Sequence, residues 1–216
     1  MSEPYRARLV VIDDHPLFRR GVADLIDMSE QLELVGSASS GPEGIDLVLA
    51  EKPDLVLLDL NMKEMGGVDV LRNLKKQDLD CRIVILTVSD NEEDVIAALR
   101  AGADGYLLKD MEPEAILDQL HGAAEGRLAI SQNLTELLAR ALRQDDTPKD
   151  IRSAGLTDRE REILSLIAQG KSNKLVAREL EITEATVKVH VKNLLKKLRL
   201  RSRVEAAVWW VEQRRR

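Results

Sequence analysis

Along the first part of the chain, short unbroken apolar runs alternate with longer stretches of helical periodicity. The runs are Leu9 to Ile12, Leu32 to Val35, Leu55 to Leu58, Ile83 to Val88 and Tyr106 to Leu108. Because they are continuously apolar rather than alternating, they predict parallel strands covered by helices on both faces. Helical patterns fill the intervals near 17–28, 42–51, 67–76, 92–101 and 113–124. Strand and helix thus alternate five times, which predicts an α/β fold with a five-stranded, doubly wound parallel sheet.

The pattern then changes. One further helix is expected over 133–143, followed by the polar, proline-interrupted stretch Gln144 to Asp150, which reads as a linker. Beyond it the periodicity is helical throughout. Thr157 and Glu160 fit a capping box opening a helix to about Gln169, and Gly170 stops it. Further helices are expected near 173–180, 184–198 and 203–212. The expected organisation is an α/β domain over 1–127, a connecting segment with one helix over 128–152, and a small all-α domain over 153–216.

Composition sharpens this division. Of 32 Lys and Arg and 38 Asp and Glu, residues 1–150 hold 16 basic and 30 acidic side chains, leaving 16 basic and 8 acidic ones beyond. The front is repelled by phosphate backbones and the tail attracted to them, so nucleic acid is expected at the tail. The single cysteine, Cys81, excludes an internal disulfide and reads as a small structural hydrophobe of a reducing compartment. No apolar signal core opens the chain and no stretch reaches membrane-span length, which makes a cytoplasmic location the expectation.

In open parallel sheets, ligands bind at the carboxyl ends of the strands. The first strand ends in Asp13 and Asp14 and the third in Asp59, so three carboxylates converge. Such a cluster repels itself unless a cation neutralises it, and oxygen-only ligation favours Mg²⁺. Thr87 closes the fourth strand and Lys109 the fifth. A carboxylate nucleophile, a metal, a hydroxyl and an ammonium together suffice for phosphoryl transfer. A Mg²⁺-dependent phosphatase acting on small molecules is a competing reading of these residues.

In the tail, Val187, Val191, Leu194, Leu195 and Leu198 form a buried helical stripe, while Lys188, Val189, Lys192 and Lys196 fall elsewhere. A valine flanked by lysines suits a major groove, where it meets thymine methyls while the lysines reach guanine edges or phosphates. The tight connection Glu181-Ile182-Thr183 before this helix fits a helix-turn-helix. In the last helix, one of Trp209 and Trp210 is expected in the core and the other at a two-fold dimer interface.

Asp13-Asp14, Asp59, Thr87 and Lys109 resemble the signature residues of flavodoxin-like response-regulator receiver domains over residues 8–126. The resemblance implies that Asp59 accepts phosphate and that Asp13, Asp14, Asp59 and the Asn61 backbone carbonyl hold Mg²⁺. It also implies that Thr87 and Lys109 contact the phosphoryl oxygens, and that Tyr106 is the aromatic switch residue. Asp110 after Lys109, and Lys63 four residues after Asp59, stand where many receivers have proline, and a trans bond is expected at Lys109-Asp110.

Leu156 to Glu160, Ala168-Gln169-Gly170, Asn173-Lys174, Ala177 and Thr186 to His190 resemble the LuxR-type DNA-binding domain over 153–216. This implies base reading by Lys188, Val189 and Lys192, with Lys174, Arg178, Lys196 and Arg201 on the backbone and His190 structural or phosphate-facing. Together the two halves resemble the NarL/FixJ class of response regulators. Asp59-Leu60-Asn61-Met62 and Gly102 to Pro113 are similar to its nitrate- and nitrite-responsive members, though a class member serving another signal is the alternative. The class implies a regulator rather than an enzyme. Its expected partners are promoter DNA, a membrane sensor histidine kinase and RNA polymerase, with a homodimer on DNA and a receiver that hides the Lys188 to Lys196 helix until phosphorylated.

Overall fold

The computed structural model describes residues 6–77, 79, 81–89, 91–125, 127, 137, 139, 148 and 153–214. Five parallel strands, β1 (Ala7–Ile12), β2 (Leu32–Ala38), β3 (Leu55–Leu58), β4 (Arg82–Thr87) and β5 (Gly105–Leu108), form one sheet in the order β2-β1-β3-β4-β5. The helices between and after them are α1 (Pro16–Asp27), α2 (Gly41–Glu51), α3 (Gly67–Lys76), α4 (Glu92–Ala101) and α5 (Pro113–Glu125).

Two cores sandwich the sheet. Val22 and Ile26 of α1 and Ile116 and Leu120 of α5 cover one face, and Val48, Val70, Leu74, Val95 and Leu99 of α2 to α4 cover the other. Continuous apolar runs are therefore required of the three central strands, since both faces of each residue pair are dry. The expectation of uniform cover fails at β2, where only Leu32 and Ala38 are buried and Glu33 and Ser37 are exposed. β2 is an edge strand, and its register with β1 shifts between Leu9 and Val10. β4 ends at Thr87, and Val88 stands 71% exposed in the following loop rather than closing the strand.

The tail folds as α6 (Asp158–Ala168), α7 (Asn173–Glu179), α8 (Glu184–Leu198) and α9 (Arg203–Arg214). The capping box is formed: Glu160 N donates to Thr157 Oγ1 at 3.2 Å and Thr157 N to Glu160 Oε2 at 2.8 Å. Burial would raise the Glu160 carboxyl, but hydrogen bonds from Lys197 and Thr157 outweigh it and hold it below the usual range. Lys197 Nζ lies 2.6 Å from Glu160 Oε2, so the start of α6 is tied to α8. The expected stripe is present, with Val187, Leu194 and Leu198 buried and Val191 and Leu195 half-buried.

One expectation about the last helix fails. Trp209 and Trp210 are both buried within the chain, and Trp209 Nε1 donates to the Pro148 carbonyl at 3.1 Å, so neither ring is left over for a second copy. The helix expected over 133–143 and the linker after it lie outside the described residues, apart from Leu137 and Ala139, which are helical and buried, and Pro148. Among the described residues there is no cis peptide bond, and no helix is long and apolar enough to cross a membrane.

Candidate functional site

The order β2-β1-β3-β4-β5 reverses direction between β1 and β3, and there the carboxyl ends of the strands bring the acidic residues together. Asp13 follows β1 and Asp59 follows β3; both are buried, while Asp14 is half-buried. Lys109, just past β5, bridges them, its Nζ standing 2.7 Å from Asp13 Oδ2 and 2.8 Å from Asp59 Oδ2. Buried carboxylates need such a counter-charge, because an isolated ion in the interior costs several kcal/mol. The ring of Phe18 on α1 supports the same ammonium, with its centroid 4.5 Å from Nζ.

The remaining residues expected here close the rim. Thr87, fully buried, accepts from Asn61 Nδ2 at 3.2 Å and from Ser89 N at 3.3 Å. Asn61 N donates to Asp59 Oδ1 at 3.3 Å, which brings the loop after β3 over the carboxylate. Tyr106 is buried, and its hydroxyl donates to the Ser89 carbonyl at 2.8 Å, pinning the loop between β4 and α4. Lys63 N meets Asp14 Oδ2 at 3.3 Å, so the residue that replaces a proline adds an amide donor to the acidic cluster.

Three contributors escaped the sequence reading. Phe18 is one. His15 is another: Asp13, Asp14, His15 and Asp59 each offer an atom within 4.8 Å of the others, a set able to hold a metal ion. The third is Gly67, where a Cβ would lie 2.1 Å from the Asp59 carbonyl oxygen, so only glycine lets α3 start this close to the loop after β3. Phe18 and Gly67 have no local sequence signature, because their roles arise from long-range approaches, whereas His15 adjoins Asp13 and Asp14 in the chain.

The tail residues expected to face DNA lie mainly on α8 and α7. Val189 is 58% exposed between half-buried Lys188 and His190, and Lys174, Arg178, Lys192, Lys196 and Arg201 are exposed. Thr183 Oγ1 caps α8 by accepting from Thr186 N at 3.1 Å, and Glu181 adopts a left-handed φ of 54° in the tight turn before it. The start of α8 is thereby fixed relative to α7, as a helix-turn-helix requires.

The two halves touch. Lys174, Lys188 and Val191 line a cleft of about 940 Å³ together with Asp54, Arg82 and Glu125. Arg100 Nε on α4 lies 3.8 Å from Glu205 Oε1 at the start of α9. Burial pushes the Glu205 carboxyl above its ordinary range, although it accepts from Arg201 N at 2.5 Å and Ser202 N at 3.3 Å. Asp104, also buried, behaves oppositely: burial raises it, but Lys75, Arg203 and Arg82 together hold it below the usual carboxylate value. Lys188 is thus in the cleft, whereas Val189, Lys192 and Lys196 stay open to solvent. The receiver-side cover expected over this helix is partial.

Known proteins match both halves. The family described as the response regulator receiver domain matches residues 9–121, and that described as bacterial regulatory proteins, luxR family, matches residues 154–210. The nitrate/nitrite response regulator protein NarL of Escherichia coli is 53% identical over 216 residues, covering 99% of both chains. A nitrate/nitrite response regulator protein homolog of Haemophilus influenzae is 46% identical, covering 97% of this chain and 99% of its own. Among solved structures, the response regulator ChrA of a heme-sensing two-component system superposes with a TM-score of 0.53 at 33% identity, covering 98% of this chain and 99% of its own. With both halves matched in one chain, the protein belongs to the NarL/FixJ family of response regulators, phosphorylation-dependent transcription regulators that join a receiver to a luxR-type DNA-binding domain.

Proposed function

We propose that Asp59 is the phosphoacceptor and that its phosphorylation releases the C-terminal domain onto promoter DNA, with nitrate and nitrite respiration as the controlled programme. The observation that carries the assignment is the Lys109 ammonium held between Asp13 and Asp59 at the strand ends. A sensor histidine kinase is the donor: a phosphoryl group leaves a histidine nitrogen and forms an acyl phosphate on Asp59. The nitrate programme rests on the identity with the Escherichia coli and Haemophilus influenzae regulators.

The acidic residues suit a divalent cation. Asp14 Oδ1 is enclosed and meets no hydrogen-bond donor, and Asp13 and Asp59 share a single lysine. Asp13, Asp14, Asp59 and the Asn61 carbonyl would hold Mg²⁺, which when bound neutralises charge on the entering phosphoryl group. Lys109 moves from pairing carboxylates to pairing phosphoryl oxygens, and Thr87 turns its hydroxyl from Asn61 and Ser89 toward them. Because Tyr106 holds the Ser89 carbonyl, a shift at Thr87 reaches the loop before α4. Arg100 at the far end of α4 carries it to Glu205 on α9.

In this reading the chain works as a cytoplasmic regulator without substrate turnover. It binds DNA as a homodimer through Lys188, Val189 and Lys192, with Lys174, Arg178, Lys196 and Arg201 on the phosphates, and RNA polymerase is the downstream partner. The test is promoter affinity of the full chain at one salt concentration, with and without Mg²⁺ and a small phosphoryl donor. The expected outcome is tighter binding after treatment, which Asp59→Asn abolishes while its circular dichroism stays unchanged. An Asp59→Asn protein that still responds to the donor would sink the assignment.

A further inference from the structure

Residues 1–150 carry 30 acidic side chains against 16 basic ones, yet four of those 16 converge on one cleft far from the strand ends. Arg72, Lys75 and Lys76 reach it from the C-terminal half of α3, and Arg100 from the end of α4. A fifth cation, Arg201, comes from the turn between α8 and α9 in the tail. Glu93 brings a single carboxylate among the described lining residues, and the rest of the wall, around Ile96, is small and apolar. The cleft holds about 690 Å³, a volume typical of small-molecule sites.

Local structure accounts for part of this gathering. Cations in the last turn of a helix complement its dipole, which explains the residue types at 75, 76 and 100. Three of the five are also paired. Arg72 Nη1 lies 3.0 Å from Asp69 Oδ1, Lys75 Nζ 2.7 Å from Asp104 Oδ2, and Arg100 Nε 3.8 Å from Glu205 Oε1. Neither cause explains Arg201, whose backbone N donates to Glu205 Oε2 at 2.5 Å and which shares the cleft with four cations of the other half. Lys76 and Arg201 are exposed and form no ion pair among the described residues. Like charges gathered in one cleft where two halves of a chain meet repel unless an anion lies between them.

We propose that this cleft is a binding site for a compact polyphosphate, the di- or triphosphate group of a nucleotide or of an inorganic chain, held between α3, α4 and Arg201. The guanidinium groups of Arg72, Arg100 and Arg201 offer planar paired donors to phosphate oxygens, and the two lysines add point charges. Arg100 is only 26% exposed, so its charge is screened less by salt than one on an open surface. Because Arg201 belongs to the tail, the ligand touches both halves at once. It therefore stabilises the arrangement in which they meet and opposes whatever parts them.

The test titrates the full chain, in chelator and at one fixed salt concentration, with inorganic triphosphate and separately with ATP, by calorimetry. One site per chain is expected. Its dissociation constant should rise at least about tenfold in Lys76→Gln and in Arg201→Gln, the loss of one charge-assisted hydrogen bond each. Lys192→Gln, which removes a tail cation outside the cleft, should leave it within about twofold. Equal affinities for the two ligands assign the phosphate chain alone, and tighter ATP binding adds the nucleoside to what the cleft holds. No binding by the parent chain overturns the proposal. So does equal weakening in all three variants, which marks diffuse attraction to the basic tail, or an effect confined to one of Lys76→Gln and Arg201→Gln, which leaves no site shared by the two halves. Because both residues are exposed, the circular dichroism of these variants should match the parent.

Discussion

Asp13 and Asp59 share one ammonium in a buried pocket, which makes Lys109 a structural keystone as well as the proposed phosphoryl contact. Lys109→Ala leaves two buried carboxylates without that partner, and breaking such an arrangement costs about 3 kcal/mol or more. Urea unfolding should show that loss. Added Mg²⁺ should return more stability to the variant than to the parent, because an ion bound only by the folded state stabilises it by mass action. A variant as stable as the parent in chelator would show that the bridge carries no energy. The carboxylates, Thr87 and Lys109 were readable in the sequence because each falls at the end of an apolar run. Phe18 and Gly67 were not, since a ring or a missing Cβ acquires its role only when α1 and α3 fold back over those ends.

At the scale of elements, periodicity gave strands and helices close to their observed limits, and it gave α8 its buried stripe. It could not show that β2 lies at an edge, because strand order is decided by which faces the helices cover. Nor could it show that both tryptophans of α9 turn inward, since a helix packed against α6 on one side and reached by Pro148 on another has little open face. Open on α8 are Val189 and Lys192. Lys192→Ala should weaken promoter binding by about 1 to 3 kcal/mol without altering the unfolding midpoint. A loss equal on promoter and random DNA would move Lys192 from base reading to backbone contact.

Between the two halves of the molecule, two buried carboxylates titrate in opposite senses. Asp104, held low by Lys75, Arg203 and Arg82, contributes stability above its unfolded value near 3.8, and that contribution is lost as pH falls through its folded value below it. Glu205, pushed up by burial, instead penalises the folded chain once ionised. The penalty is relieved as pH falls from above its folded value toward the unfolded 4.5. The difference in melting temperature between the parent and Glu205→Gln should therefore move in the parent's favour over that window, and a difference flat with pH would contradict the assignment. The Arg100 contact to Glu205 was illegible in the sequence, because it joins residues more than a hundred positions apart.

The cleft that Lys174 and Lys188 line with Asp54 and Glu125 has one further consequence. If Lys174 and Lys188 contact DNA as proposed, the receiver's carboxylates in this cleft stand in for duplex phosphates, and the chain carries an internal competitor for its own cations. Counterions weaken both engagements together. The affinity of the unphosphorylated chain for DNA should then fall less steeply with rising salt than that of the phosphorylated chain, whose cations face the duplex alone.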